Sequence, residues 1–451
     1  MVIVQAFVEI ANIFCGMPLL YAAMVVAVVL LVKTGGLQLR RWNLIWKQIR
    51  SSKKRDDKSI SSFSACCMAL GNTLGVGNIA GVAVAIAAGG PGALFWLWVA
   101  DALGIVIKYA EAVLGVVFRE RDPESGYYRG GILWYIEKGL GRRWKWMAVL
   151  YAVLYCISDL IYPATQMNAV VTVAKNVIPI PPVVIAVVLA VFMAVVIIGG
   201  VKRLSEIANK VIPFMAVLYF LGALVVILSH VSNLPAVFCA VIQAAFQPTA
   251  AIGGFGGATM MTALRNGIAR GFYSSGAGSG DAAFSHATAD VAYAPEQGMW
   301  AMVEVLVDMV VCTCTALVIL SADVLDSGLS GSELTTRAFA TVLGEGTANV
   351  FISIVVLLFA FTTAVVSVYY GELCLKYVLG SKWQSGIWIR LYRIVMCLSA
   401  VLGGILTIGT LWGLTDFFLA VCMFICLFTL FRCRNIVAEK TREYVSGAQE
   451  K

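Results

Sequence analysis

The sequence predicts an all-α polytopic membrane protein of eleven transmembrane helices, and three observations carry that prediction. Of its 451 residues 60% are hydrophobic and 13% are charged, against about a quarter charged in soluble domains. Mean hydropathy is +0.88. Uncharged runs of helix length recur along the whole chain, each close to the ~20 residues that cross a bilayer core.

The first run, 10–32, holds no charge, is too long for a cleaved leader and has no basic residue before it. A basic segment follows, with Arg40, Arg41, Lys47, Arg50, Lys53, Lys54, Arg55 and Lys58 against Asp56 and Asp57. Short basic loops stay in the cytoplasm, which sets the N-terminus outside. Within that segment "RRWNLIWKQIR" mixes aromatic and apolar residues with arginines, as an amphipathic helix on the inner membrane surface would; a plain basic loop is the alternative. Ten further spans follow at about 63–90, 93–118, 146–175, 182–200, 205–230, 235–270 (broken), 297–322, 348–377, 384–407 and 410–432. The alternation then places Arg119, Arg121, Arg129, Lys138, Arg142, Arg143, Lys145, Lys202 and Arg203 inside, and the acidic loop of Asp323, Asp326, Glu333 and Glu345 outside. The C-terminal tail, with Arg432, Arg434, Lys440 and Arg442, falls inside. The net charge of +8 therefore reads as membrane topology and lipid contact rather than nucleic-acid binding. Most of the twelve cysteines sit in apolar runs, where small apolar packing explains them better than disulfides or metal. Neither His230 nor His286 has zinc-site spacing.

"GNTLGVGNIAG", residues 71–81, interrupts the second span. Small-xxx-small spacing at Gly71/Gly75 and Gly77/Gly81 would serve close helix packing. Packing does not account for Asn72, Thr73 and Asn78 in the same turns, because unpaired amides are costly in hydrocarbon. An unwound stretch there would offer carbonyls to a cation and N–H groups to a carboxylate, as discontinuous helices do in secondary transporters. Such folds are built from repeats, and "PTAAIGGFGGATM", 248–260, is the matching interruption. Setting the first span aside leaves two halves of five spans, 63–231 and 232–432, each opened by a broken helix. Residues 1–62 form an N-terminal helix with its basic segment, and 433–451 form a cytoplasmic tail.

"GVGNIAGVAVAIAAGGPGALFWLWV", "YRGGILWYIEKGLG", "PTAAIGGFGGA", "RNGIARGFYSSGAGSG" and "FAFTTAVVSVYYGE" resemble the alanine or glycine:cation symporter family, from about residue 60 to 430. The resemblance implies a bacterial or archaeal plasma-membrane symporter that takes up small neutral amino acids such as alanine or glycine with sodium. It also implies the five-plus-five inverted repeat of the leucine-transporter type with one extra N-terminal helix. Carried over by position, it places the substrate against Thr73, Gly75, Val76, Gly77 and Asn78, with Gln166, Gly254, Phe255, Gly257 and Ser367 around it. The sodium ligands it implies are Gly71, Leu74, Asn78, Thr362 and Thr363, and hard oxygens suit that ion. Sodium is then the coupling ion, and no cofactor is called for.

This chain departs from the family pattern at Val76, at Ser275 and Gly276, and at Ser367, which stands where the family has tryptophan. Losing an indole enlarges a pocket, and pocket filling sets selectivity; a larger amino acid such as glutamine is one alternative substrate. Asp101, Asp159 and Glu304 stand in or near spans where small or apolar residues are expected. As intramembrane carboxylates they point to proton coupling or a cationic substrate, unless they lie at span edges or pair with Lys108, Arg265 or another base. A channel lacks any charge ring or filter repeat here. Gly278–Asp281 matches the GxGD string of intramembrane aspartyl proteases, without a Tyr-Asp partner motif. Loop 271–281 is expected on the cytoplasmic side, where its glycines would serve an inner gate.

Overall fold

The computed structural model describes residues 17–51, 59–123, 125–175, 177, 179–246, 260–380, 386–405 and 409–449. Among them seven helices are long and apolar enough to cross a membrane, or eight if one bent pair is counted as a single span. The chain opens with α1 (Met17–Lys33), then α2 (Trp42–Ser51), the amphipathic stretch, which is helical. The bent pair is α3 (Ser62–Thr73) and the helical stretch 77–89, which is a π turn over Gly77–Gly81 followed by α4 (Val82–Gly89). Next come α5 (Gly92–Val117), a two-stranded hairpin of β1 (Glu120–Arg121) and β2 (Tyr128–Arg129), and α6 (Ile132–Gly139). Then run α7 (Lys145–Ala174), α8 (Pro182–Ile198), α9 (Gly200–Ser229), α10 (Leu234–Phe246), α11 (Met260–Ser275) and α12 (Ala282–His286). The remainder is α13 (Ala294–Ser321), α14 (Gly331–Leu343), α15 (Glu345–Leu379), α16 (Gly386–Gly403) and α17 (Gly409–Gln449).

The helices that hold the site are largely buried against others. In α5, Leu97, Ala100, Val106, Ala110 and Leu114 are buried, as are Val355, Val356, Phe359 and Ala360 in α15. By contrast α8 and α16 turn Val187, Val191, Phe192, Ile198, Ile394 and Leu398 outward, the arrangement that hydrocarbon solvates. Backbone groups are satisfied within helices, so charged side chains in this core gain most from partners among other side chains.

Glycines fix how α11 lies on α5. Gly267 abuts Ala93 and Trp96, Gly271 abuts Leu97 and Ala100, and Gly104 faces Ser275 and Ala277. The two helices therefore run side by side, and α11 stops halfway along α5. The next residues turn through Gly276, Gly278 and Gly280, with φ of +59°, +93° and +82°, a region that side chains with Cβ avoid. Helix α12 then resumes along α5, where Gly115 touches Ala283. The expected loop 271–281 is a helix break inside the fold, with Ser275, Ala277 and Asp281 buried. The reason is local. An αL turn repeated at alternate positions ends a helix without leaving the bundle, and the Glu111 carboxylate accepts the Gly278 amide at 2.7 Å. A Cβ at Gly278 would sit 3.0 Å from Met423 Cε in a backbone region that L residues avoid. Gly278→Val is therefore expected to cut uptake rates at least about tenfold, through strain of ~1–3 kcal/mol, as read by initial-rate uptake at matched protein level.

Candidate functional site

Helix α3 begins with the Ser61 hydroxyl accepting the Ser64 amide at 3.1 Å, and it ends abruptly. The Gly75 amide, which would otherwise close the next turn onto Gly71, donates to the Asn78 side-chain oxygen at 2.9 Å. The axis bends by 55° between 62–73 and 77–89. The interruption predicted over 71–78 is thus narrower in the structure, spanning 74–76.

Helix α15 packs against the break. The Thr363 hydroxyl donates to the Leu74 carbonyl at 3.2 Å and to Phe359 at 2.9 Å. A Cβ at Gly75 would meet that same hydroxyl at 3.0 Å and the Gln166 side-chain oxygen at 3.7 Å. Leu74, Gly75, Gln166 and Thr363 are thereby brought together. Thr362 is not: its hydroxyl donates to Leu358 and Phe359 and faces Met215 Sδ at 3.7 Å. Gly71 sits one turn back, pressed by Val366 and Ile212. The packing reading holds for Gly71, while Gly75 leaves room for polar groups.

Asn78 is fully buried and fully used. Its amide nitrogen donates to Asp308 Oδ1 at 2.5 Å and Ser274 Oγ at 3.1 Å, and its carbonyl accepts from Thr315 at 2.9 Å. It therefore clamps the break to α11 and α13. On one side of the break lies a cavity of about 110 Å³ lined by Thr73, Gly75, Gly77, Asn78, Asp159 and Asp281, among others. On the other side a larger hollow of about 710 Å³ reaches Val76, Gly77, Arg270 and the α14 residues Glu333 and Arg337. Gly77 borders both.

Behind the break lies an ionic cluster with Lys108, Glu304 and His286 almost wholly buried. Glu304 Oε1 accepts from Thr73 at 2.5 Å and pairs with Lys108 at 3.1 Å, while Oε2 meets His286 Nε2 at 2.9 Å. Gln297 Nε2 lies within hydrogen-bond distance of the Ser62 carbonyl, at 3.3 Å, and of His286 Nδ1, at 2.8 Å. Asp281 is 3.9 Å from Lys108 and accepts from Asn72 at 2.8 Å, which joins the two helix breaks directly. Asp101, in contrast, is buried with no partner on either oxygen among the described residues.

Asp159 stands apart from this cluster. Its Oδ2 accepts from Tyr392 at 2.5 Å, and the Ser367 hydroxyl interacts with the same carboxylate. Pro163, four residues on, has no amide to bond the Asp159 carbonyl. A Cβ at Gly371 would collide with the Tyr392 hydroxyl and Asp159 Oδ2. Gly371→Ala is expected to lower the thermal midpoint in detergent by several degrees, from overpacking of about 1–3 kcal/mol, and to weaken substrate affinity with it.

Gly254, Phe255 and Gly257 lie outside the described residues. Sequence reasoning offered Lys108 as a partner for the buried acids, which its pairing with Glu304 bears out, and gave no role to Arg270, Asp281 or His286, which the fold gathers here. For Arg270 a signal existed. A Cβ at Gly77 would lie 3.5 Å from its guanidinium, and one at Gly81 would overlap it, so the Gly77/Gly81 spacing admits an arginine rather than a helix.

The sequence profile described as the sodium:alanine symporter family matches residues 1–451. The sodium/alanine symporter AgcS of Methanococcus maripaludis is 35% identical over 376 residues, 81% of this chain and 80% of that protein. The probable sodium/glutamine symporter GlnT of Bacillus subtilis is 33% identical, covering 90% and 84%. The amino-acid carrier protein AlsT of the same organism is 32% identical, covering 93% and 87%. Among solved structures, a manganese transporter of Eremococcus coleocola superposes with a TM-score of 0.54 at 13% identity, covering 82% of this chain and 75% of that one, which is a likeness of fold. The chain is a multi-pass membrane transporter and not an enzyme, and it belongs to the sodium:alanine symporter family.

Proposed function

We propose that this transporter couples sodium entry to uptake of a small α-amino acid by alternating access. The observation that carries the reading is the break at 74–76, with a hydroxyl from α15 on its carbonyl and a cavity on each side. Sodium would be held by the Leu74 carbonyl and the Thr363 hydroxyl, with the Gly71 carbonyl one turn away. Peptide groups of Gly75 and Gly77 would take the substrate's carboxylate and ammonium, beside Gln166. Sodium bound at Leu74 would order the break that forms the substrate site, so each ligand raises the other's affinity by the same factor. The names of the relatives support sodium with alanine, or sodium with glutamine, and Ser367 in place of an indole favours the larger of these.

The proposed topology has eleven spans, the N-terminus outside, the C-terminus cytoplasmic, and two inverted halves, 63–231 and 232–432. The test is uptake of radiolabelled alanine, glycine and glutamine into proteoliposomes under a sodium gradient, a proton gradient or neither. Sodium-dependent accumulation is expected. Accumulation driven by protons alone would remove the sodium assignment at Leu74 and Thr363.

A further inference from the structure

We propose that Asp159 is the counter-ion for a second, side-chain ammonium group, so that the preferred substrate is a short-chain diamino acid. The inference rests on the reading of the 74–76 break as the amino-acid site and adds a charge requirement to it.

Two sequence departures far apart in the chain meet at one place. Asp159 in α7 stands where an apolar residue was expected, Ser367 in α15 stands where an indole was expected, and the serine hydroxyl, which donates to the Ala364 carbonyl at 3.0 Å, lies near the carboxylate. Asp159 is 2% exposed and borders the small cavity opposite Gly75 and Gly77. Tyr392 and Ser367 orient it but carry no positive charge. Among the described residues no basic side chain pairs with it, whereas Asp281, the other carboxylate on that cavity, has Lys108 and Asn72. An ionised carboxylate without a cation is costly inside a membrane protein.

The two charges of an ordinary amino acid do not require this residue. A broken helix already supplies amides for a carboxylate and carbonyls for an ammonium. A buried carboxylate with no basic partner among the described residues therefore matches a further cation on the substrate. Size limits how far that cation extends: about 110 Å³ holds several water-sized groups, which fits a side chain of two or three atoms better than that of lysine. Asp159 places a carboxylate at the wall of that cavity.

The test compares two ligands of equal heavy-atom count, 2,4-diaminobutyrate and norvaline, in sodium-driven proteoliposome uptake by the full chain. Wild type is expected to favour 2,4-diaminobutyrate by about tenfold or more, since a polar group built to meet a substrate group discriminates strongly against its absence. Asp159→Asn is expected to abolish or reverse that preference. A wild-type preference for norvaline, or an unchanged preference in Asp159→Asn, overturns the proposal. The wild-type comparison needs no variant, so misfolding of Asp159→Asn cannot shield the idea. Sodium-driven uptake of alanine with rejection of 2,4-diaminobutyrate defeats this inference alone. No sodium-driven uptake of any amino acid defeats the underlying reading as well.

Discussion

Replacing Thr363 with valine is expected to raise the sodium concentration for half-maximal uptake by about tenfold or more. Its hydroxyl reaches the Leu74 carbonyl at 3.2 Å, a contact that brings a side-chain oxygen of α15 onto a carbonyl of the break. Valine keeps the shape and removes the oxygen. Losing one oxygen from a buried polar site costs about 1–3 kcal/mol, and each 1.4 kcal/mol is about tenfold in affinity. Thr362→Val is expected to shift the sodium requirement less, because that hydroxyl is spent on Leu358, Phe359 and the Met215 sulfur. Sodium titration of alanine uptake in both variants makes the comparison. Equal shifts would put both threonines in the ion site, and no shift in Thr363→Val would move the ion elsewhere.

The helices that cross the core were legible because hydrocarbon imposes length and composition on them. The first break was legible too, since glycines and asparagines have no other use at mid-span. Its width was not: the run 71–78 looks uniformly unwound, yet Leu70 still accepts the Leu74 amide at 2.7 Å and only the Asn78 side chain decides where the helix stops. The depth of the break at 276–281 was not legible, because only contacts of α11 with α5 bury it. Pairings such as Asn72 with Asp281, or Lys108 with Glu304, join residues about two hundred positions apart, and no local pattern encodes them. The acids themselves were visible. Glu304, read as a candidate for proton or cation coupling or as a partner of Lys108 or another base, has both oxygens occupied by donors.

That occupancy gives Glu304→Gln the largest expected effect on stability. Glutamine retains an oxygen for Thr73, but its NH₂ then replaces the carboxylate oxygen that faces His286 Nε2 at 2.9 Å. Lys108 also loses its nearest counter-ion, leaving Asp281 at 3.9 Å. Removing one partner of a buried ion pair costs about 3–5 kcal/mol. The variant is expected to unfold several degrees lower in detergent and to accumulate poorly in membranes. Adding Lys108→Met removes the stranded cation and is expected to recover part of the loss, since replacing both members of a buried pair is often close to neutral. Tryptophan-fluorescence melting of wild type, Glu304→Gln and the double variant decides the matter. A wild-type midpoint in Glu304→Gln would show that the cluster is not what holds α13 against the end of α3, and that Thr73 keeps its place at the break without it.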